Sequence, residues 1–307
     1  MRRRIKMVGR DRKLSILATL TIIVLLVVVS LANSLPGIGI TSGVGTEWGI
    51  PSDHNPAPAP QSVVEDANRL ATELYGNSQG KWHDFVAQLL AMYDEARGSD
   101  FIVIFNSGGW GGNMVEESPG WWSILSNIKY KLDASGYKPL LMNHRRTVES
   151  LRGDLDEAWE MVTSYPSKAE DLAYRVQFLT DHVPDINVIL AGESTGTVIC
   201  DRAMIMLEDN TQVYSIQTGP PFWHTNTAQE RTLLLTDNGV VPDSFSLGDI
   251  PAMARANLRN IFGLAGEHEN KGRVLLFLEA PGHDYGWQYP VVYSRITAFL
   301  EENFAIK

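Results

Sequence analysis

"LAGESTGTVIC", residues 190–200, places Ser194 between Gly192 and Gly196, with apolar residues on both sides. The run "DINVILAG" reads as a buried strand, and "TGTVICDRAMIMLE" after it has helical spacing. A serine at such a junction has two readings. It is a loop serine with glycine neighbours, or a nucleophile lifted clear of a sheet on a tight strand-to-helix turn. Glycines two residues to either side leave little side chain to obstruct that turn, and they tolerate unusual backbone angles. The following helix aims its first N–H groups and positive dipole end at the same point. A G-x-S-x-G pentapeptide is weak alone; the strand before it and the helix after it give it meaning.

Working outward, the same rhythm recurs. "DFIVIFN" (100–106), "KPLLMNH" (138–144), "QVYSIQTG" (212–219), "RTLLLTDNG" (231–239) and "RVLLFLEAPG" (273–282) are short apolar runs ending in turn residues. Helical spacing fills the gaps at about 121–134, 147–163, 167–181 and 250–262, and "PVVYSRITAFLEENF" closes the chain. Two further helices, "VVEDANRLATELYG" and "KWHDFVAQLLAMYDEARG", precede the first strand. Strands alternating with helices predict an α/β fold, a mostly parallel sheet of about six strands covered on both faces. In such a sheet functional residues collect just past the strands' carboxyl ends.

A serine nucleophile needs a base. Of seven histidines, His54 lies in a Pro-rich stretch, His83 and His182 on helices, and His268 in a polar loop without metal-ligand spacing. His144 and His224 follow strands and are placed to line a pocket. His283, in "EAPGHDYGW" between the last strand and the last helix, is the candidate base. Asp237, at the end of "TLLLTD", is the candidate carboxylate to orient it, with Asp243 in reserve and Asp284 behind that. Asp-Asn-Gly is also good turn chemistry by itself, which is the competing account of Asp237.

The order Ser194, Asp237, His283, each after a strand, resembles the α/β-hydrolase family over roughly residues 100–305. The resemblance implies an oxyanion hole from the Thr195 N–H and a donor in the "SGGWGG" turn, Gly109 or Trp110. The family often begins this turn with His-Gly, and here Asn106-Ser107 stands instead. The first two strands of larger members are missing, with two helices in their place. Residues 145–165 are the candidate small lid, with an ordinary surface helix as the alternative. Trp110, Trp121, Trp122, Phe222, Trp223 and Trp287 lie near proposed strand ends. Of these, Trp110, Trp122, Phe222, Trp223 and Trp287 are the candidate substrate-binding residues, an aromatic wall suited to hydrophobic or lipid-like carboxylic esters. The resemblance thus implies acyl-enzyme ester hydrolysis without metal or organic cofactor. Acyltransferase, thioesterase or peptidase chemistry on the same scaffold, and a catalytically silent binding protein, are the alternatives.

Charge is unevenly placed. Residues 1–13 hold seven Lys or Arg and one Asp, leaving 19 basic against 35 acidic side chains in the rest. A body so acidic argues against nucleic acid as a partner. Leu14 to Ala32 is 19 residues without a charge, enough to cross a bilayer with the basic end in the cytoplasm. A membrane signal anchor is favoured over a signal peptide cleaved after Ala32, because the apolar run exceeds a usual h-region. Residues 33–61, rich in Gly, Pro and Ser, read as a linker, and 62–307 as the hydrolase-like domain. The lone Cys200 excludes an intramolecular disulfide and falls in an apolar stretch, as a buried thiol does.

Overall fold

The computed structural model describes residues 59–306 apart from 77, 110, 145–163, 226, 228–229, 263, 265–271 and 276–277. The basic segment, the apolar run 14–32, nearly all of the linker, the helix expected at 147–163, Trp110 and His268 therefore lie outside the described residues. Among the described residues no helix is long and apolar enough to cross a membrane.

Two helices, α1 (Gln61–Tyr75) and α2 (Gln79–Ala96), precede strand β1 (Phe101–Asn106). Then follow α3 (Pro119–Ala134), β2 (Pro139–His144), α4 (Pro166–His182), β3 (Asn187–Glu193) and α5 (Thr195–Met206). The chain continues through β4 (Val213–Thr218), β5 (Thr232–Leu235), α6 (Ile250–Ile261), β6 (Arg273–Leu275), β7 (Leu278–Glu279) and α7 (Pro290–Phe304). β1 to β5 form one parallel sheet in the order β2-β1-β3-β4-β5.

The central strands are apolar through their middles, Phe101 to Phe105 in β1 and Val188 to Ala191 in β3, because both faces are covered. Successive side chains alternate between two cores. Ile102, Ile104, Val188 and Leu190 pack with α1, α2, α4 and α5, including Phe85, Leu89, Leu172 and Ile199. Phe101, Val103, Phe105, Ile189 and Ala191 face the other way, onto Trp121, Ile124 and Ile128 of α3 and Val292, Ile296 and Leu300 of α7. Cys200 is fully buried in the first of these cores. Register aligns the strand ends: Asn106 lies opposite both His144 and Gly192, and Glu193 opposite Thr218.

One expected strand does not join this sheet. "RVLLFLEAPG" forms instead a separate two-stranded antiparallel pair, β6 with β7. The reason is visible at Glu279. The Asn257 side chain of α6 donates to the Glu279 carbonyl at 2.8 Å and accepts from its N–H at 3.0 Å. A helix-borne amide thus takes both backbone groups that a neighbouring strand would use. Among the described residues the sheet has five strands, not six.

Candidate active site

Ser194 sits between β3 and α5 with φ 50° and ψ −118°, a positive φ that a non-glycine residue adopts at a cost of about 1–3 kcal/mol. Several contacts hold it there. Its N–H donates to the Thr218 carbonyl at 2.9 Å, crossing to the end of β4. Its own carbonyl accepts from the Thr197 N–H at 3.0 Å and the Thr197 hydroxyl at 2.7 Å. Gly196 is sterically required and Gly192 is tightly packed. A Cβ on Gly196 would stand 2.1 Å from the Asn106 carbonyl oxygen, and one on Gly192 3.0 Å from Thr197 Cα. Gly196→Ala is accordingly expected to destabilise the fold at the upper end of about 1–3 kcal/mol. Gly80→Ala, where a Cβ meets nothing within 4 Å, should stay within about 0.5 kcal/mol. Urea unfolding of the two variants beside the wild type checks the contrast, and equal midpoints would remove the steric account.

The glycine turn after β1 lies directly against this serine. A Cβ on Gly108 would be 2.9 Å from Ser194 Cβ, so only glycine allows the approach. Glu193, the residue before the serine, ties that turn down: its Oε2 accepts from the Gly108 N–H at 3.2 Å and the Ser118 hydroxyl at 3.3 Å. The Thr195 hydroxyl donates to the Gly109 carbonyl at 2.9 Å, which brings Thr195 and Gly109 together. Thr195 opens α5, where first-turn N–H groups face out of the helix end. The tie through Glu193 was not foreseen; its signal was only a carboxylate inside the pentapeptide.

His283 follows β7 in a turn whose Gly282 (φ 83°) is pressed against Pro242. Its ring packs on Gly219, where a Cβ would be 2.6 Å from Cε1. Since Thr218 binds the Ser194 N–H and Gly219 abuts the imidazole, the end of β4 brings serine and histidine to one place. The Ser194 hydroxyl itself has no hydrogen-bond partner among the described residues, and Ser194 is 3% exposed.

The carboxylate on His283 is Asp243, held in reserve on sequence grounds, and not Asp237. Asp243 Oδ2 meets His283 Nδ1 at 2.9 Å and accepts from the Tyr285 hydroxyl at 2.7 Å and the Ser246 hydroxyl at 2.8 Å. Its Oδ1 accepts the N–H groups of Phe245 and Ser246 at 2.9 and 3.1 Å. Asp237 is exposed and accepts the Gly239 N–H at 2.8 Å, the local turn bond that Asp-Asn-Gly favours. An isolated bridge between Asp237 and Pro242 then sends the chain back toward His283. Asp284 is occupied by the Tyr289 hydroxyl.

Burial alone would raise the Asp243 carboxyl, but bonds from His283, Tyr285 and the Ser246 N–H outweigh it and hold it below the usual carboxylate range. The same burial, beside that carboxylate, pushes the Tyr285 phenol up. A carboxyl lowered on folding stabilises the fold above its unfolded value near about 3.9, and that contribution is lost as pH falls through the folded value. The stability gap between wild type and Asp243→Asn should therefore be constant above about pH 5 and narrow on further acidification. Urea midpoints as a function of pH report this; a gap that widens in acid would contradict it.

The aromatic residues divide. Phe222 and Trp223 stack edge-on at 5.1 Å and both meet Phe245, which lies 4.9 Å from the His283 ring. Phe245 had no distinguishing signal in the sequence. Trp121 is fully buried, and its indole N–H donates to the Thr218 hydroxyl at 3.1 Å, bracing the strand end. Trp122 is 44% exposed on α3, and Trp287 packs on Tyr293 at 5.3 Å beside the α3–α7 core. Neither joins the cluster around His283, because Trp122 is turned to solvent and Trp287 packs against the α3–α7 core. His144 and His224 are structural in their contacts. His144 Nδ1 meets Asn106 Oδ1 at 2.6 Å, and His224 Nε2 meets Asp201 at 3.0 Å.

No protein-family model matches the chain, and no curated protein matches it in sequence. Among solved structures, Trichoderma reesei cutinase in complex with a C11Y4 phosphonate inhibitor is similar at a TM-score of 0.39 and 13% identity, covering 79% of this chain and 92% of that one. At that distance the likeness adds nothing to the geometry above.

Proposed function

We propose that this chain is a serine hydrolase of the α/β-hydrolase type, acting on carboxylic esters through Ser194, His283 and Asp243. One observation carries the reading: a positive-φ serine between strand and helix, with a buried Asp243–His283 pair brought beside it by the Thr218–Gly219 strand end. His283 takes the Ser194 proton as the hydroxyl attacks the ester carbonyl, and Asp243 holds the imidazole in the tautomer that leaves Nε2 as acceptor. The oxyanion rests on N–H groups of Thr195 and the Gly109 turn, each worth about 3 kcal/mol in the transition state. His283 then protonates the leaving alcohol; water, deprotonated by His283, attacks the acyl carbonyl, and the acid leaves as His283 returns the proton to Ser194 Oγ. The chemistry asks for no metal or cofactor.

Phe222, Trp223 and Phe245 beside the imidazole support a hydrophobic acyl or alcohol group. Residues 14–32 support an anchored protein whose domain works outside the cytoplasmic membrane, or a secreted one if cleavage follows Ala32. A silent binding protein is the second reading, favoured by one observation, the unbonded and nearly buried Ser194 hydroxyl. Serine–base bonds of this kind commonly close only when substrate is bound. Fluorophosphonate labelling of the full chain decides between them. Labelling that disappears in Ser194→Ala supports the hydrolase, and absence of labelling in folded wild type leaves the binding protein.

A further inference from the structure

The helix that follows the Asp243 loop turns apolar residues outward. On one side α6 buries Met253 and Ala256, and its Asn257 and Asn260 amides reach Glu279. Beside that face runs a stripe at spacings of four, four and three, made of Ile250, Ala254, Leu258 and Ile261. All four are exposed, Leu258 at 55% and Ile261 at 76%. Phe262, just past the helix end, is 71% exposed, and Leu247 in the preceding loop 64%. That loop continues to Gly248, which lies against Phe222 at the aromatic end of the candidate site. A surface helix normally turns polar residues to water, and a run of outward apolar ones marks an interaction surface.

Charge names the occupant. The charged residues within α6 are Arg255 and Arg259, and the one carboxylate at its end, the N-cap Asp249, accepts from the Ala252 N–H, in a chain that beyond residue 13 has 19 basic against 35 acidic side chains. An apolar stripe with arginines along its solvent side is the complement of an anionic lipid surface. The chain brings such a surface within reach. The uncharged run 14–32 ends shortly before the described domain begins at Ala59. Residues 33–58 intervene, and a random-coil chain of that length would span about 30 Å on average.

We propose that α6, with Leu247, seats on the anionic lipid surface in which residues 14–32 are anchored, turning the Phe222 end of the site toward the bilayer. This goes beyond the hydrolase reading and rests on residues 14–32 being membrane-inserted. The test uses the full chain with phosphatidylcholine–phosphatidylglycerol vesicles carrying doxyl-labelled lipid. A thiol dye is placed on Ala254→Cys, within the stripe, or on Tyr130→Cys of α3, exposed to solvent; Cys200 is fully buried, and wild type controls for it. Expected is several-fold stronger quenching at 254 than at 130. Quenching at 254 should weaken in phosphatidylcholine alone or 1 M salt and be lost in the Leu258→Asp, Ile261→Asp double variant.

Equal quenching at both positions in a chain that floats with vesicles overturns the proposal and leaves the anchor standing. A chain that does not float removes the tether and the proposal with it. Dye at 254 already shielded in detergent without lipid also overturns it. A concentration-dependent shield then assigns the stripe to a second copy, and a concentration-independent one to another segment of this chain. Fluorophosphonate labelling of the same samples reports the Ser194 chemistry separately, so failure of one reading is not mistaken for failure of the other.

Discussion

Ser194→Ala is expected to lower kcat on a short p-nitrophenyl ester by about 10^4-fold or more, leaving only what the oxyanion donors and substrate binding supply without a nucleophile. The loss should come without loss of fold, because the Ser194 hydroxyl has no hydrogen-bond partner among the described residues to forfeit. Ser194→Gly sharpens the point. Glycine accepts φ 50° without the penalty that serine bears, so this variant should be equally inactive yet more stable, by about 1 kcal/mol after its greater unfolded-state entropy is counted. An inactive and more stable glycine variant is what strain kept for function predicts. Initial rates and urea midpoints on the three proteins check both halves. Retained turnover in the alanine variant removes Ser194 from the mechanism, and a less stable glycine variant removes the strain.

The second large effect separates two aspartates six positions apart. Asp243→Asn should cost about 10^4-fold in kcat, because an amide facing His283 Nδ1 favours the tautomer in which Nε2 carries the proton and cannot accept another. Asp237→Asn should stay within a few-fold of wild type, since Asp237 is exposed and its bond is a local one to Gly239. The opposite pattern would restore the acid suggested by strand order alone. Near-UV circular dichroism of both variants keeps a folding defect from being read as a kinetic one.

That reversal shows where the sequence stops being legible. The serine turn was readable because everything that makes it is local: two glycines at fixed offsets, an apolar strand before, a helical run after. The five parallel strands were readable because burial on both faces leaves continuous apolar runs. Asp237 and Asp243 both lie beyond β5, and both act as turn acceptors for N–H groups two residues on. Which of them meets His283, 40 residues away from Asp243 in the chain, depends on the Asp237–Pro242 bridge and on the room left at Gly282. Neither leaves a mark in the spacing. Trp287 and Phe245 exchanged places for the same reason: each follows a proposed strand, and only packing decides that one meets Tyr293 and the other His283.

The side chain of Asn257 standing where a sixth strand was expected has a mechanical consequence. Ser194 and the Gly108–Gly109 turn are rooted in the central strands of a continuous ladder, so their positions share the cooperativity of the whole sheet. His283 hangs from a two-stranded ribbon fastened to α6 by the Asn257 and Asn260 amides at Glu279 and to the Asp243 loop by a few bonds. Such a unit opens at a fraction of the free energy needed to unfold the sheet. Its amides should exchange with solvent well ahead of those of β1 and β3. On the proposed mechanism, His283 and Asp243 would then withdraw together from a Ser194 that stays fixed, and reaching a nearly buried serine would be a local event of the histidine ribbon.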